Sequence, residues 1–359
     1  MAKILMKGNE AVAEAAIRAG CRLYFAYPIT PQSELIEYMA KMMPKVNGCF
    51  LQAESEVAAI NMVYGAGGAG KRVMTSSSSP GISLKQEGIS YIAGAEIPAV
   101  IVNVQRGGPG LGDIQPGQAD YFQAVKGGGH GDYHLIVLAP NSVQEFADMA
   151  SDAFDLADKY RNPVMILADG MLGQMMEPVE FKEAKTQAEM DKYAEQHNSW
   201  CICPKTDEND KHHHEINSLE LDPSVLEKHV LDLYKKYDVV EANEVKYDTY
   251  NVSDDNEVLV VAFGTASRIV KSAIDELKAD GKSVGLVRPI TLWPYPYKQI
   301  VEAIGPKVKK VYVFELNMGQ MLDDVKIAVN GRVPVDFWGK VGGIVFTPAE
   351  IQEKLEKCW

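Results

Sequence analysis

Short apolar runs separated by amphipathic stretches fill the first 170 residues of the chain. Arg22–Ala26, Cys49–Ala53, Arg72–Ser76, Ala99–Val104, Leu135–Ala139 and Val164–Ala168 are expected to be strands. They are continuous in Val, Ile and Leu rather than alternating, as in strands buried on both faces. Helical periodicity predicts helices near 8–19, 31–43, 56–69, 82–94 and 141–160 between them. Strands alternating with helices predict an α/β fold with a doubly wound, mostly parallel sheet.

The pattern changes after position 170. Met171-Leu172-Gly173-Gln174-Met175-Met176 reads as core or interface filler, the usual work of methionine. Lys182–Glu195 is charged and is expected to be a solvated arm, Leu221–Tyr237 an amphipathic helix, and Asp248–Asn256 a polar linker. A second α/β unit follows, with strands expected at Val258–Phe263, Ser283–Val287, Lys309–Phe314 and Val333–Phe337. Helices near 266–280, 296–304, 319–330 and 348–357 separate them, and the two units show no internal repeat. The expected domains are thus 1–180, an arm at 181–255, and a smaller α/β domain at 256–359.

A length of 359 residues suits two or three domains. The formal net charge of -13 argues against nucleic acid and anionic membrane surfaces as partners. No apolar run reaches the roughly 18 residues that span a bilayer, and the N-terminus lacks a signal-peptide core. A cytoplasmic location is expected. The five cysteines make neither a disulfide framework nor the run that holds an iron–sulfur cluster. Cys201, Cys203 and His212 to His214 invite a metal, but their spacing fits no standard zinc pattern.

Candidate chemistry falls at four strand ends, which a parallel sheet brings to one edge. Tyr27-Pro28-Ile29-Thr30-Pro31 precedes a helix that Thr30 is placed to cap, with Pro31 at the first helical position. Glu54-Ser55-Glu56 opens a helix rich in small residues up to Gly65 and Gly68; its carboxylates either serve the helix dipole or a site. Thr75-Ser76-Ser77-Ser78-Ser79-Pro80-Gly81 either lines a polar cleft or caps the next helix. Gln105-Arg106-Gly107-Gly108-Pro109-Gly110 carries an arginine into a glycine-rich turn, for a carboxylate ligand or a structural ion pair. Lys126-Gly127-Gly128-Gly129-His130-Gly131 is a further loop expected to gate the cleft. Neither a P-loop, a Rossmann fingerprint nor a Ser-His-Asp set is found.

Taken together, YPITP, ESE, SSSSPG and QRGGPGLG resemble the alpha subunits of 2-oxoacid:ferredoxin oxidoreductases, enzymes of anaerobic metabolism. The likeness runs through the second unit, at Arg288-Pro289-Ile290-Thr291-Leu292-Trp293-Pro294. The QRGGPGLGDIQPGQADYFQ stretch resembles the branched-chain type, which acts on 3-methyl-2-oxobutanoate, more than the 2-oxoglutarate type. The resemblance implies a thiamine-diphosphate-binding fold of the pyrimidine type, followed by a transketolase C-terminal-like domain. It implies oxidative decarboxylation of a 2-oxoacid to its acyl-coenzyme A, with electrons passed to ferredoxin. Thr30 then matches a substrate-contacting threonine, Arg106 the arginine for the oxoacid carboxylate, and Glu56 the glutamate at the pyrimidine N1′, with Glu54 as its fallback. Ser78 and Ser79 are implied cofactor contacts. The family's diphosphate and Mg²⁺ are held by a Gly-Asp-Gly motif on a separate beta subunit; Ala168-Asp169-Gly170 is as near as this chain comes. Beta, gamma and ferredoxin-like subunits are the implied partners, and 4Fe-4S clusters are expected only on those. A 2-oxoglutarate enzyme and a non-catalytic scaffold subunit are the alternatives.

Overall fold

The computed structural model describes residues 3–202 and 214–358. A seven-stranded sheet forms the larger layer. Its order is Cys49–Gln52, Leu23–Ala26, Val73–Ser77, Ala99–Gln105, Pro163–Asp169, Ile136–Leu138 and Thr291–Trp293. The first six strands are parallel. Four of them, Val73–Ser77, Ala99–Gln105, Pro163–Asp169 and the short Ile136–Leu138, are buried at every position. Helices Gly8–Arg18, Ser33–Met42, Glu56–Gly68, Ser79–Gly94 and Val143–Tyr160 cover the two faces. The expected strands and helices of the first 170 residues therefore form, within a few residues at each end.

The second sheet has the order Val335–Gly339, Lys310–Glu315, Val258–Val261, Val284–Pro289 and Tyr247–Tyr250. The last of these strands is antiparallel and lies where a polar linker was expected. Its side chains are mostly exposed, which is why the stretch carries no apolar signal. A third, two-stranded ribbon pairs Ile4–Lys7 with Met176–Val179.

The two α/β units are sewn together. Thr291–Trp293 leaves the second unit and runs antiparallel to Ile136–Leu138 at the edge of the first sheet. Arg288 grips Glu145 with two bonds of 2.7 Å. Gln118 bonds Phe263 O and both the N–H and the carbonyl of Leu316, while Asn317 donates to Gln118 O. Glu315 caps the helix Met321–Val329 through Met321 N and Leu322 N, and burial pushes its carboxyl up to about 7. One hydrophobic core runs through both units, from Val100 and Ile166 to Phe263, Val287 and Val313.

The arm departs from expectation. Gln187–His197 is a helix with a complete capping box between Thr186 and Glu189. It docks at the N-terminal end of the parallel strands, where Arg72 lies over the Tyr193 ring at 3.9 Å and bonds Asp155 and Asp158. The contact is polar and aromatic, so its sequence shows no apolar stripe. Pro223–Asn243 is the next helix. Among the described residues no helix is long and apolar enough to cross a membrane.

Candidate functional site

The strands Leu23–Ala26, Cys49–Gln52, Val73–Ser77, Ala99–Gln105 and Pro163–Asp169 all end on one edge of the sheet. The loops that follow them carry Thr30, Glu56, Ser78, Ser79 and Arg106. A parallel sheet requires this convergence, because each connecting helix returns the chain to the opposite edge.

Thr30 does not cap a helix. Residues 27–32 form a turn closed by Gln32 N donating to Ile29 O at 3.2 Å, so the helix begins only at Ser33, and Gln32 stands at its cap position. The exposed Thr30 is thereby left on the rim of a cleft of about 630 Å³. Ile114, Pro116, Met171, Met175 and Val345 supply much of the lining, and among the described residues of that lining none is charged.

Arg106 meets Thr30 directly. Its Nη1 donates to Thr30 O at 3.0 Å and its Nη2 to Leu111 O at 2.7 Å, while Nε is buried with no partner. The loop carrying it is pinned by Gly107 N to Gln115 O and by Asp113 N to Gly107 O. Gly112 must be glycine: its φ is +60°, and a Cβ would stand 1.7 Å from Gly107 O.

Glu56 lies in the first turn of the helix Glu56–Gly68, whose cap is Ser55 Oγ accepting from Ala58 N at 3.2 Å. Its side chain is buried, whereas Glu54 is exposed. It lies against Gly81, where an added Cβ would come within 2.7 Å of Glu56 Oε1 and 2.1 Å of Ser77 Oγ. Around Gly65 in the same helix there is open space. Gly67 instead packs on Ile97.

The serine segment divides in two. Ser77 Oγ and Ser78 Oγ are buried without partners. Ser79 is spoken for, with Oγ donating to Asp120 Oδ2 at 2.6 Å and accepting from Arg106 N at 3.0 Å. Asn103 Nδ2 bonds the same Asp120 oxygen at 2.8 Å. Burial pushes the Asp120 carboxyl up, against the pull of Ser79, Asn103 and the Arg106 charge. Ser79 therefore links Arg106 to the serine segment, on whose other side Glu56 sits.

Sequence reasoning missed Asn103, Asp120 and Lys85. Lys85 is fully buried on the helix Ser79–Gly94, with Nζ 2.6 Å from Thr75 Oγ1 and 3.0 Å from Ser76 O. A signal existed: Ile82, Lys85, Ile89 and Ile92 form one helical stripe, so the lysine stands in a buried register.

The glycine loop after Lys126 is no gate for this cleft. It leads into the N-terminal end of Ile136–Leu138, opposite the site edge, with Gly128 and Gly129 against Gln86 and Ser90 and with Lys126 bound to Asp324 at 2.7 Å. Cys203, His212 and His213 lie outside the described residues. Cys201 is buried and its carbonyl meets His214 Nδ1 at 3.0 Å. Among the described residues no group of three or more His, Cys, Asp or Glu is placed to hold a metal.

Two family models match the chain. Residues 14–229 match the thiamine-diphosphate-binding domain of pyruvate flavodoxin/ferredoxin oxidoreductases, and residues 256–351 match core domain II of pyruvate:ferredoxin oxidoreductase. A "ketoisovalerate oxidoreductase subunit VorB" of Methanothermobacter marburgensis is 51% identical over 99% of this chain and 98% of its own. A "2-oxoglutarate synthase subunit KorA" of Methanocaldococcus jannaschii is 36% identical, covering 98% of each. Among solved structures, a 2-oxoglutarate:ferredoxin oxidoreductase from Magnetococcus marinus superposes with a TM-score of 0.83 at 30% identity, over 99% of this chain and 65% of that one. A split-gene transketolase, at 14% identity and a TM-score of 0.59, shares the fold.

Proposed function

The chain belongs to the 2-oxoacid:ferredoxin oxidoreductases, and from that premise we propose that it is the alpha subunit of a branched-chain enzyme. The reaction is the thiamine-diphosphate-dependent, coenzyme A-linked oxidative decarboxylation of 2-oxoacids such as 3-methyl-2-oxobutanoate, with ferredoxin as electron acceptor. The substrate reading is supported above all by the uncharged, mainly apolar lining of the cleft beside Thr30, in which Gln115 and Gln174 are the polar side chains besides Thr30 itself. An isopropyl group gains by burial there, whereas a second carboxylate, as in 2-oxoglutarate, would lose its hydration with no cation to replace it. The VorB relative, more similar to this chain than the KorA relative, favours the same substrate.

The residues fit the pyrimidine half of a thiamine diphosphate site. Glu56 offers a buried carboxyl, and Ser77 and Ser78 offer hydroxyls that lack partners. When bound, the cofactor supplies an acidic carbon that attacks the keto group and stores the electrons released with carbon dioxide. Glu56 would offer its buried carboxyl to the pyrimidine N1′. Arg106 holds the oxoacid carboxylate with its remaining N–H groups. Thr30 orients the substrate at the cleft mouth. The diphosphate and Mg²⁺ belong to a beta subunit that carries the Gly-Asp-Gly motif this chain lacks. The 4Fe-4S clusters belong to the other subunits of the complex.

Ferredoxin reduction by the reassembled complex tests this reading. 3-Methyl-2-oxobutanoate should exceed 2-oxoglutarate in kcat/KM by about 100-fold or more, the scale of an uncompensated buried charge. Preference for 2-oxoglutarate rejects the branched-chain assignment; no turnover of either, with thiamine diphosphate bound, returns the chain to a scaffold.

A further inference from the structure

The guanidinium of Arg106 is only as well placed as the strand end that carries it. Thr30 O and Leu111 O accept from its two terminal nitrogens, and Nε is buried without a partner. The strand end itself is held by a polar cluster. Arg106 N donates to Ser79 Oγ at 3.0 Å, and Ser79 Oγ donates to Asp120 Oδ2 at 2.6 Å. Asn103 closes the cluster: its Nδ2 donates to the same Asp120 oxygen at 2.8 Å, and its Oδ1 accepts from Ser79 N at 3.2 Å. Asp120 is fixed in turn through its own N–H, which donates to Gln105 Oε1 at 3.1 Å. Gln105 Nε2 reaches Ala168 O on the neighbouring strand at 3.2 Å. Arg106 also opens the glycine-rich loop, and Pro116 at the far end of that loop stands opposite it in a bridge. Asp120 follows shortly after Pro116, so one carboxyl ties the exit of the loop to its entry.

We propose that Asp120 is the positioning residue of Arg106: through the Ser79 hydroxyl it sets where the guanidinium meets the oxoacid carboxylate. A serine hydroxyl has one proton to give. With an acceptor at 120, that proton points to Asp120 and a lone pair is left for Arg106 N. Without the acceptor the hydroxyl turns, the buried Arg106 N–H loses its partner, and the strand end shifts to find another. A two-bond grip on a carboxylate is sensitive to such a shift, because both bonds need alignment at once. The inference deepens the reading under Proposed function and rests on it.

Ferredoxin reduction by the reassembled complex gives KM and kcat for 3-methyl-2-oxobutanoate, and titration calorimetry gives the affinity for thiamine diphosphate. Asp120→Ala should raise KM by about tenfold, lower kcat by less than that, and leave cofactor affinity unchanged. Asp120→Asn keeps an oxygen that can accept from Ser79 and Asn103, and should bring KM back to within about threefold of native. In an Arg106→Ala chain, Asp120→Ala should add less than about twofold, because the group it positions is gone. Should Asp120→Ala fail to assemble, Ser79→Ala cuts the same relay at its middle and takes its place in the cycle. Additive effects in the cycle, an unchanged KM, an Asn chain as impaired as the Ala chain, or a cofactor affinity that falls as far as KM rises would each overturn the proposal and leave the family reading standing. Failure of both Asp120→Ala and Ser79→Ala to assemble makes the cluster a structural part and also overturns it. A native complex that turns over no 2-oxoacid strikes the reading under Proposed function itself.

Discussion

The two edges of the large sheet treat buried charge in opposite ways. At the N-terminal edge, Arg72 is saturated: Nε bonds Asp158 at 2.8 Å, Nη2 bonds Asp155 at 2.6 Å, Nη1 bonds Ala19 O at 2.6 Å, and the Tyr193 ring covers its face. At the C-terminal edge, Arg106 Nε, Ser77 Oγ and Ser78 Oγ are buried with no partner, and Lys85 is fully buried on Thr75 Oγ1 and Ser76 O. Buried polar groups are nearly always paired in a folded chain. At the first edge the Arg72 cluster follows that rule because its work is to hold the arm, although His134 Nδ1 and Asn162 Oδ1 on the same edge lack partners. The second breaks it at Ser77, Ser78 and Arg106, as expected where the missing partners arrive with a ligand.

The largest effect that separates the edges is Glu56→Gln. The amide keeps the volume but cannot hold an acidic proton at the pyrimidine, so turnover in the complex should fall by about 10²–10⁴-fold, the usual worth of a general acid–base group. Complex assembly, followed by size-exclusion chromatography, should not change. Near-normal turnover would remove Glu56 from the chemistry. Arg72→Met is the counterpart at the other edge. It leaves Asp158 buried with only His197 beside it and should lower stability to urea by about 3–5 kcal/mol, the cost of breaking a buried pair, with kcat unaltered in the surviving protein. If kcat falls with stability, the edges are coupled and the contrast fails.

Much of this division was legible before any coordinates. Val73–Ser77, Ala99–Gln105 and Pro163–Asp169 are continuous apolar runs because both of their faces are covered, and such runs fix the edge to which Thr30, Glu56 and Arg106 must come. The Thr30 cap was misjudged because a local preference competed with a turn that delays the helix to Ser33. The arm helix Gln187–His197 escaped because it is held by a guanidinium, a tyrosine ring and a histidine, and hydrophobic periodicity does not register such contacts. Thr291–Trp293 gave no sign that it would leave its own unit, since a three-residue strand carries no partner information. Lys85 hid for the converse reason: a single charge within an apolar stripe reads as an interruption, although its register says that it is inside.

Arg106→Ala sharpens the picture of the site edge. Removal of the guanidinium should cost about 1.5–3 kcal/mol in kcat/KM, the worth of a hydrogen bond to a charged group, as a raised KM with reduced turnover. The same substitution also frees Thr30 O and Leu111 O, so Arg106→Lys is the informative companion: it keeps the charge but loses the paired fork, and should recover part of the loss. Equal kinetics for the Ala and native chains would make Arg106 a loop tie.

The smallest effect concerns pH at the arm. His197 places Nδ1 2.8 Å from Gly70 O and Nε2 3.3 Å from Asp158. Burial disfavours its charge, and Arg72 opposes it too, but Asp158 and the Gly70 carbonyl outweigh them and raise its pKa above the ordinary histidine value. A group whose pKa is raised by folding contributes stability that is complete below its unfolded pKa, about 6.5, and is lost as pH rises through the folded value. Docking of Gln187–His197 should therefore loosen as pH rises above about 6.5 and through the raised folded value. Hydrogen exchange of that helix, corrected for the intrinsic pH dependence of exchange, should show the loosening, and His197→Gln should flatten it. At the other edge burial lowers the titration of Lys85 instead of raising it, so the exchange of Ser79–Gly94 should not follow the arm. Parallel profiles for the two helices would mean that the saturated and the open edge titrate as one unit.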